Sequence, residues 1–280
     1  MNWPVTLIAV AIGLSLAMSA AWVIAIRTGR SGWIDATWSF SVGIFGAIAA
    51  LLPFTPDEPT SRQWLVSALV IFWSFRLGLH IAARTAADGK DDPRYSELRR
   101  QWGESYRSRL FLFLQIQAAT AFILALTVMV AARNPSPGLG LSDLIGVVLF
   151  IAAVVGEAVS DRQLTAFRRN PANKGKVCDV GLWSLSRHPN YFFEWLGWLA
   201  YPVIALNLTD GYLLGLIALA GPVMMYWLLV HVSGIPPLEE HMLRSRGEKF
   251  RRYQSRVNAF WPWPSAKGTQ SARDPREKHL

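Results

Sequence analysis

The sequence predicts an all-α polytopic membrane protein with about seven transmembrane helices. Of its 280 residues, 52% are hydrophobic, and 13 are tryptophan, a side chain that concentrates at membrane interfaces. Apolar runs of the roughly 20 residues needed to cross a bilayer recur along the chain. We count seven such runs, at approximately 4–26, 36–54, 64–87, 110–132, 141–160, 190–208 and 210–232.

The first and last runs set the limits of the membrane domain. MNWPVTLIAV lacks the basic residues that begin a signal peptide, so the first run is predicted to be retained as a transmembrane helix. The last two runs are joined by a short turn from Asn207 to Gly211. We predict one transmembrane domain at 1–263. A disordered cytoplasmic tail is predicted at 264–280, where the residues are polar and of mixed charge.

The net charge of +9 follows from orientation in a membrane, and a nucleic-acid partner is not needed to explain it. Seven basic residues lie at 84–109, six at 162–187 and ten from Arg244 onward. The alternate loops contain only Arg62 and Arg133. This alternation predicts an N-terminus outside and a cytoplasmic C-terminus. The sequence carries no signal for the number of subunits.

Several kinds of chemistry are excluded by the motifs. GLGLSD at 138–143 does not match the glycine pattern of a dinucleotide-binding Rossmann unit, and no Walker A motif is present. The single cysteine, Cys178, excludes an intramolecular disulfide framework. We predict no metal site, although His231, Glu239, Glu240 and His241 are close enough in sequence to be considered for one.

SRHPNYFFEW, from Ser186 to Trp195, places polar groups at the start of an apolar run. Asn190 and Glu194 are four residues apart, so on a helix they lie on one face and can together bind a ligand amide. Two structural alternatives stay open: Asn190 suits a helix start, and Glu194 could pair with a neighbouring helix. The basic residues upstream could hold phosphates or serve only as positive-inside charges.

These motifs resemble those of the steroid 5α-reductases and the related intramembrane sterol reductases. FRRNP at 167–171 and RHPNY at 187–191 are similar to the sterol C14- and C7-reductase pattern. From about residue 33 to 264 the chain resembles a bacterial branch grouped with the 5α-reductases. The motifs that carry this are Asp35 and Trp38 in IDATWSF, DDPRYSELRRQWG at 91–103, SGIPPLE at 233–239 and YQSRVNAFWPWP near the C-terminus.

The resemblance implies a membrane enzyme that binds NADPH from the cytoplasm and reduces an activated C=C bond of a lipid-soluble substrate. A bacterial inner membrane is the expected location, or the endoplasmic reticulum in a eukaryote. The implied cofactor-binding half is about 141–263. The residues implied to bind NADPH are Arg76, Arg84, Arg94, Asp161, Arg168, Lys176, Asn190, Glu194, Glu239, Arg244 and Tyr253.

One departure concerns the catalytic pair. The 5α-reductases polarise the substrate ketone with a glutamate on the second helix and a tyrosine on the third, where this chain has Asp35 and Trp73. A protonated, desolvated aspartate can donate a hydrogen bond, whereas an indole N–H can donate one but cannot supply a proton. A 3-oxo-Δ4 steroid, another lipid-soluble enone or a polyprenoid therefore all stay open as substrates.

A second resemblance competes with the first. RHPNY followed by LEEHMLRSRGEKFRRY at 238–253 is similar to the isoprenylcysteine and phospholipid methyltransferases, in which such residues hold S-adenosylmethionine. Three features favour the reductase: Asn190, Glu194 and the basic FRRNP segment. S-adenosylmethionine has no phosphate, so it would not require Arg168, Arg169 and Lys176. A non-catalytic lipid-binding or transport protein is a third alternative.

Overall fold

A computed structural model describes residues 2–88, 91–207 and 211–263. The described residues form helices and no strand; an isolated parallel bridge joins Ser186 and Asn258. The all-α prediction is confirmed, and six helices are long and apolar enough to cross a membrane. The chain is thus a multi-pass membrane protein. The six helices are Trp3–Thr28, Gly32–Leu51, Ser61–Ala87, Arg94–Ala132, Leu141–Arg169 and Leu213–Arg246.

The first half of the chain forms five helices with defined ends. They are α1 (Trp3–Thr28), α2 (Gly32–Leu51), α3 (Ser61–Asp88), the short α4 (Pro93–Trp102) and α5 (Tyr106–Ala132). The side chain of Asn2 accepts a hydrogen bond from the backbone N–H of Val5 and so caps α1. Gly29 ends α1 in the left-handed conformation, with a φ of 69°. Asp92 caps α4 in the same way as Asn2 caps α1.

The second half begins with one long helix and continues with shorter ones. They are α6 (Leu141–Arg169), α7 (Pro189–Trp198), α8 (Ala200–Ala205), α9 (Ala220–Trp227), α10 (Ile235–Arg246) and α11 (Glu248–Arg256). A 3-10 helix at Leu213–Leu219 precedes α9, and a π-helical turn at Leu228–Val232 follows it. The run predicted at 210–232 is therefore helical from Leu213, but it changes its helix type twice.

The run predicted as one span at 190–208 is divided between α7 and α8. These helices have 10 and 6 residues, fewer than a span requires. Pro202 explains the division, because it has no N–H to bond to the carbonyl of Trp198 and its ring would clash with that carbonyl. Among the described residues, six helices thus meet the length and apolarity of a span, where the sequence predicted about seven.

The chain divides into two compact units. The first contains the chain up to Gly146 together with Tyr201–Gly221, and the second contains Val147–Ala200 together with the chain from Pro222. The domain limit at residue 263 stays a prediction, and the tail expected at 264–280 lies outside the described residues.

In the first unit, α2 packs against α1, α3 and α5. Close approach depends on small residues, as is common between membrane helices. A Cβ atom at Gly43 would lie 2.2 Å from the Cβ of Ser74, and one at Gly78 would lie 2.7 Å from the ring of Phe40. Larger side chains at these glycines would separate α2 from α3.

In the second unit, α6 and α7 approach each other in the same way. A Cβ atom at Gly156 would lie 2.3 Å from the Phe193 ring, and one at Gly197 would lie 3.5 Å from the Cβ of Ala153. Phe250, Tyr253 and Val257 form a buried cluster in the C-terminal arm, the segment from α11 to residue 263. These contacts hold α7 against α6 and give the C-terminal arm a buried core of its own.

Candidate functional site

The turn before α7 is attached to the C-terminal arm by backbone hydrogen bonds. The N–H of Arg187 donates to the carbonyl of Asn258 at 2.9 Å. The Ser186 hydroxyl donates to the carbonyl of Phe260 at 2.9 Å and accepts from the N–H of His188 at 3.1 Å. Pro189 then begins α7 at the position where a missing N–H costs nothing. The SRHP turn is therefore held by the C-terminal arm before it enters α7.

Arg187 forms a two-bond ion pair with Glu239 of α10. The Nε–Oε1 distance is 2.6 Å and the Nη2–Oε2 distance is 3.2 Å, and both side chains are largely buried. Arg187 Nη1 also donates to the carbonyls of Gln254 and Val257 in the arm. The Gln254 amide donates to Glu239 Oε2 at 2.7 Å. We call Arg187, His188, Glu239 and Gln254 the arm cluster.

His188 is the most buried member of the arm cluster, with 3% of its surface exposed. Its Nε2 lies 3.0 Å from Glu239 Oε1, and its ring stacks on Tyr191 at a centroid distance of 5.5 Å. Burial lowers the pKa of His188 below its ordinary value of 6.5, although the hydrogen bond to Glu239 opposes this shift. Nδ1 has no hydrogen-bond partner among the described residues.

Asn190 and Glu194 lie one turn apart on α7, as predicted. Glu194 is buried, and its Oε1 accepts a hydrogen bond from the indole N–H of Trp198 at 3.2 Å. The side chain of Asn190 is half-buried and makes no hydrogen bond within the described part of the chain. An amide able to accept and donate thus lies beside a buried carboxylate.

The remaining predicted residues of the second unit differ in their surroundings. Arg168 and Lys176 are exposed, and Asp161 on α6 is half-buried. Arg244 is exposed and lies 3.5 Å from Glu240, its neighbour one turn away. The hydroxyl of Tyr253 donates to the carbonyl of Trp183, and its pKa is raised by burial. Tyr253 therefore anchors the arm, which is a structural contact that the sequence did not predict.

In the first unit, Asp35 is surrounded by donors. Arg94 Nη2 donates to Asp35 Oδ2, and the Tyr95 hydroxyl donates to Oδ1 at 3.0 Å. Arg94 also donates to Asp92 at 3.0 Å, and Arg84 lies 3.9 Å from the same carboxylate. An arginine and a phenol both donate to the Asp35 carboxylate, so in these contacts its oxygens act as hydrogen-bond acceptors.

Trp73 and Arg76, the other predicted residues of this unit, lie on α3. The Trp73 ring is buried and meets the edge of Trp38 at a centroid distance of 6.4 Å, while Arg76 is half-buried. Tyr95 was missed because it belongs to a short helix after the third span. The contact with Asp35 joins residues 60 positions apart in the sequence. Its only sequence signal was its place in DDPRYSEL.

No group of three or more His, Cys, Asp or Glu side chains that could hold a metal occurs within the described residues. His188, His231 and His241 are instead separated among different elements of the second unit. Glu239 forms an ion pair with Arg187 and lies 3.0 Å from His188 Nε2.

The geometry can be compared with known proteins. A family model described as "Protein of unknown function (DUF1295)" matches residues 21–257, which is most of the chain. The chain belongs to this family. The match includes the arm cluster, the Asn190–Glu194 pair and the Asp35 contacts.

A curated relative is similar to a short part of the chain. It is a "Probable O-methyltransferase ustE" of Ustilaginoidea virens, 44% identical over 57 residues. The match spans 20% of this chain and 20% of the relative. No solved structure matches the chain significantly.

Proposed function

We propose that the protein is a membrane-embedded reductase that uses NADPH to saturate an activated C=C bond in a lipid-soluble substrate. The observation that carries the proposal is the pair on α7: an Asn190 amide without a hydrogen bond among the described residues, one turn from the buried carboxylate of Glu194. A nicotinamide carboxamide has an N–H₂ group and a carbonyl, so it can meet a carboxylate and an amide together. The family resemblance of SRHPNYFFEW supports the same assignment.

The donor set of the second unit fits such a cofactor. Arg168, Arg169 and Lys176 are all exposed, so these cations are accessible to phosphate groups. Asp161 is a candidate acceptor for ribose hydroxyls. When bound, NADPH would supply a hydride to the substrate. Asn190 and Glu194 would orient the nicotinamide, and the arm cluster would hold the C-terminal arm in place.

We assign a substrate-binding role to Asp35 and Tyr95 of the first unit. The 5α-reductases resembled by this chain use a carboxylate and a tyrosine, and Trp73 left the tyrosine without a counterpart. Tyr95 supplies a phenol 3.0 Å from Asp35, on α4 rather than α3. A phenol is a better hydrogen-bond donor to a developing oxyanion than an indole, and it can also release a proton. We therefore assign the donor role to Tyr95, whose single O–H would turn from Asp35 Oδ1 to the substrate oxygen when the substrate binds.

The proposed orientation has the N-terminus outside and the C-terminus in the cytoplasm, with NADPH entering from the cytoplasm. The distribution of Lys and Arg supports it, as only Arg62 and Arg133 lie in the loops assigned to the outside. A bacterial inner membrane is the proposed location. The apolar substrate would enter from the bilayer.

Ligand binding to the purified full-length protein in detergent tests the cofactor assignment. We expect saturable NADPH binding that weakens about tenfold in Asn190→Ala, because one or two hydrogen bonds to the ligand are lost. The matched control is Gln101→Ala, which removes an exposed amide that bonds to Glu97 at 2.9 Å in the first unit. Equal NADPH affinity in wild type and Asn190→Ala would contradict the assignment.

A methyltransferase is the second candidate, and the 57-residue similarity to a probable O-methyltransferase favours it. The arm cluster contains the arginine, histidine and glutamate that the methyltransferase resemblance implies for S-adenosylmethionine. The same titration distinguishes the candidates. Binding of S-adenosylmethionine without NADPH binding would replace the reductase with the methyltransferase.

A further inference from the structure

Two tryptophan side chains at the end of the C-terminal arm are exposed although their backbone is held in place. Trp261 is 48% exposed and Trp263 is 74% exposed. The Asn258 side chain donates to the carbonyl of Trp263 at 2.6 Å, and the N–H of Trp263 donates to the carbonyl of Trp261 at 2.8 Å. An ordered turn therefore presents two large apolar rings outside the protein, which is unfavourable in water.

The inner side of this turn packs on α7 and α9. The Trp261 ring lies 5.3 Å from the Trp195 ring and 5.9 Å from the Phe192 ring, measured between centroids. The Tyr226 ring of α9 lies 6.2 Å from Trp261. Phe260, which is buried, lies 5.7 Å from Trp195 and 5.3 Å from Tyr226. These contacts fix the position of the turn along the two helices.

That position corresponds to the edge of the apolar core of a membrane. α7 begins directly after the polar Arg187 and His188. Phe192 and Trp195 lie about 4.5 and 9 Å beyond its first residue, at a rise of about 1.5 Å per residue. The head-group zone on each side of the hydrocarbon core is about 5–8 Å thick. The turn that carries Trp261 therefore lies at the depth of the membrane interface.

A third exposed tryptophan adjoins this turn. Trp227, the last residue of α9, is 51% exposed and follows Tyr226, whose ring meets Trp261. α9 belongs to the helix Leu213–Arg246, which is long and apolar enough to cross a membrane. Tryptophan concentrates at membrane interfaces because its ring is apolar and its N–H is polar. We propose that the C-terminal arm is a second attachment to the bilayer, with the indoles of Trp261 and Trp263 in the head-group interface.

This attachment acts on the candidate site through the backbone of the arm. The carbonyl of Phe260 accepts from the Ser186 hydroxyl, and the carbonyl of Asn258 accepts from the N–H of Arg187. The bilayer thus holds the end of the arm that carries the SRHP turn, while Gln254 joins the arm to Glu239 of α10. The inference goes beyond the proposed function and does not depend on which cofactor binds.

Spin labelling of the full-length protein in vesicles of phosphatidylcholine and phosphatidylglycerol tests the position of the turn. In a Cys178→Ser background, a nitroxide is attached at Trp263→Cys or, as the control, at Arg252→Cys, whose side chain is 79% exposed on α11. We expect the label at position 263 to collide more often with oxygen, which concentrates in the bilayer, than with a water-soluble nickel chelate. The label at position 252 should show the reverse preference.

Two results of the labelling would overturn the proposal. If both labels prefer the nickel chelate, the turn lies in water. If the label at position 263 is shielded from both reagents and its spectrum is broadened by a second nitroxide, another copy of the chain covers the turn in place of lipid.

Hydrogen exchange of the arm's backbone amides tests the attachment without a label. In the same vesicles, Trp263→Ala should increase exchange across α11 and the turn by about five- to tenfold, because a largely exposed ring loses mainly its contact with lipid. Arg252→Ala is the matched control in the same arm and should exchange at the wild-type rate. Wild-type exchange in Trp263→Ala, or an equal increase in both variants, would refute a role for the indole in holding the arm.

Discussion

Two buried arginine–carboxylate pairs, one in each unit, differ in how fully the polar atoms around them are hydrogen-bonded. In the first unit, Arg62 bonds to Asp143 through Nε at 2.8 Å and Nη2 at 2.9 Å. Its Nη1 donates to the carbonyls of Asn134 and Ser136. In the arm cluster, Arg187 bonds to Glu239 in the same two-bond geometry.

The two clusters differ in whether their polar atoms all have hydrogen-bond partners. Asp143 Oδ2 also accepts from the N–H of Gly140 at 2.7 Å, so both the cation and the carboxylate are surrounded by partners from the loop between α5 and α6. The arm cluster has a comparable ion pair, but His188 Nδ1 has no partner among the described residues. The Arg62–Asp143 pair thus closes a loop, whereas the arm cluster leaves one buried acceptor without a donor in the described part of the chain.

The largest expected loss of stability is at the Arg62–Asp143 pair. Asp143→Ala leaves the Arg62 guanidinium buried without its carboxylate and should reduce the free energy of unfolding by about 3–5 kcal/mol. Thermal unfolding of the detergent-solubilised protein measures this loss. The control is Glu97→Ala, which removes the exposed partner that bonds to Arg100 at 2.7 Å and should cost far less, because water screens an exposed ion pair. Similar losses in both variants would show that the Arg62 pair is no more important than a surface pair.

A smaller loss of stability, combined with a loss of binding, is expected at the arm cluster. Glu239→Ala removes the partner of Arg187, His188 and Gln254, and should cost about 1.5–3 kcal/mol. It should also weaken NADPH binding, because the C-terminal arm loses its attachment to α10 through Gln254. The matched control is Glu240→Ala, the exposed neighbour in α10, which should change neither property. If Glu239→Ala destabilised the protein but bound NADPH normally, the arm cluster would be structural, like the Arg62 cluster.

The pair on α7 could be predicted from the sequence, whereas the contacts within the two clusters could not. Asn190 and Glu194 could be placed on one face because helix geometry relates residues four positions apart. Arg187 and Glu239 are 52 residues apart, and Arg62 and Asp143 are 81 apart, so neither contact follows from local spacing. The resemblance to known families pointed to Glu239, but nothing pointed to the role of Asp143.

The same limit applies to the fold. Apolar run lengths predicted the membrane helices, because the bilayer thickness imposes them. The break between α7 and α8 lies near Pro202, but run length alone predicts one continuous span at 190–208. The contact between Tyr95 and Asp35 could not be predicted, because it depends on how α4 packs and not on the residues around Tyr95.

The smallest expected effect is the pH dependence of stability at His188. Burial lowers its folded-state pKa, so between that value and the ordinary value of 6.5 the unfolded chain binds a proton that the folded protein does not. The contribution of His188 to stability is therefore fully present above 6.5 and is lost as the pH falls through the folded value. Wild type should lose more stability than His188→Gln on acidification, as measured by thermal unfolding over the same pH range. The reverse order would mean that Glu239 stabilises the charged ring more than burial disfavours it.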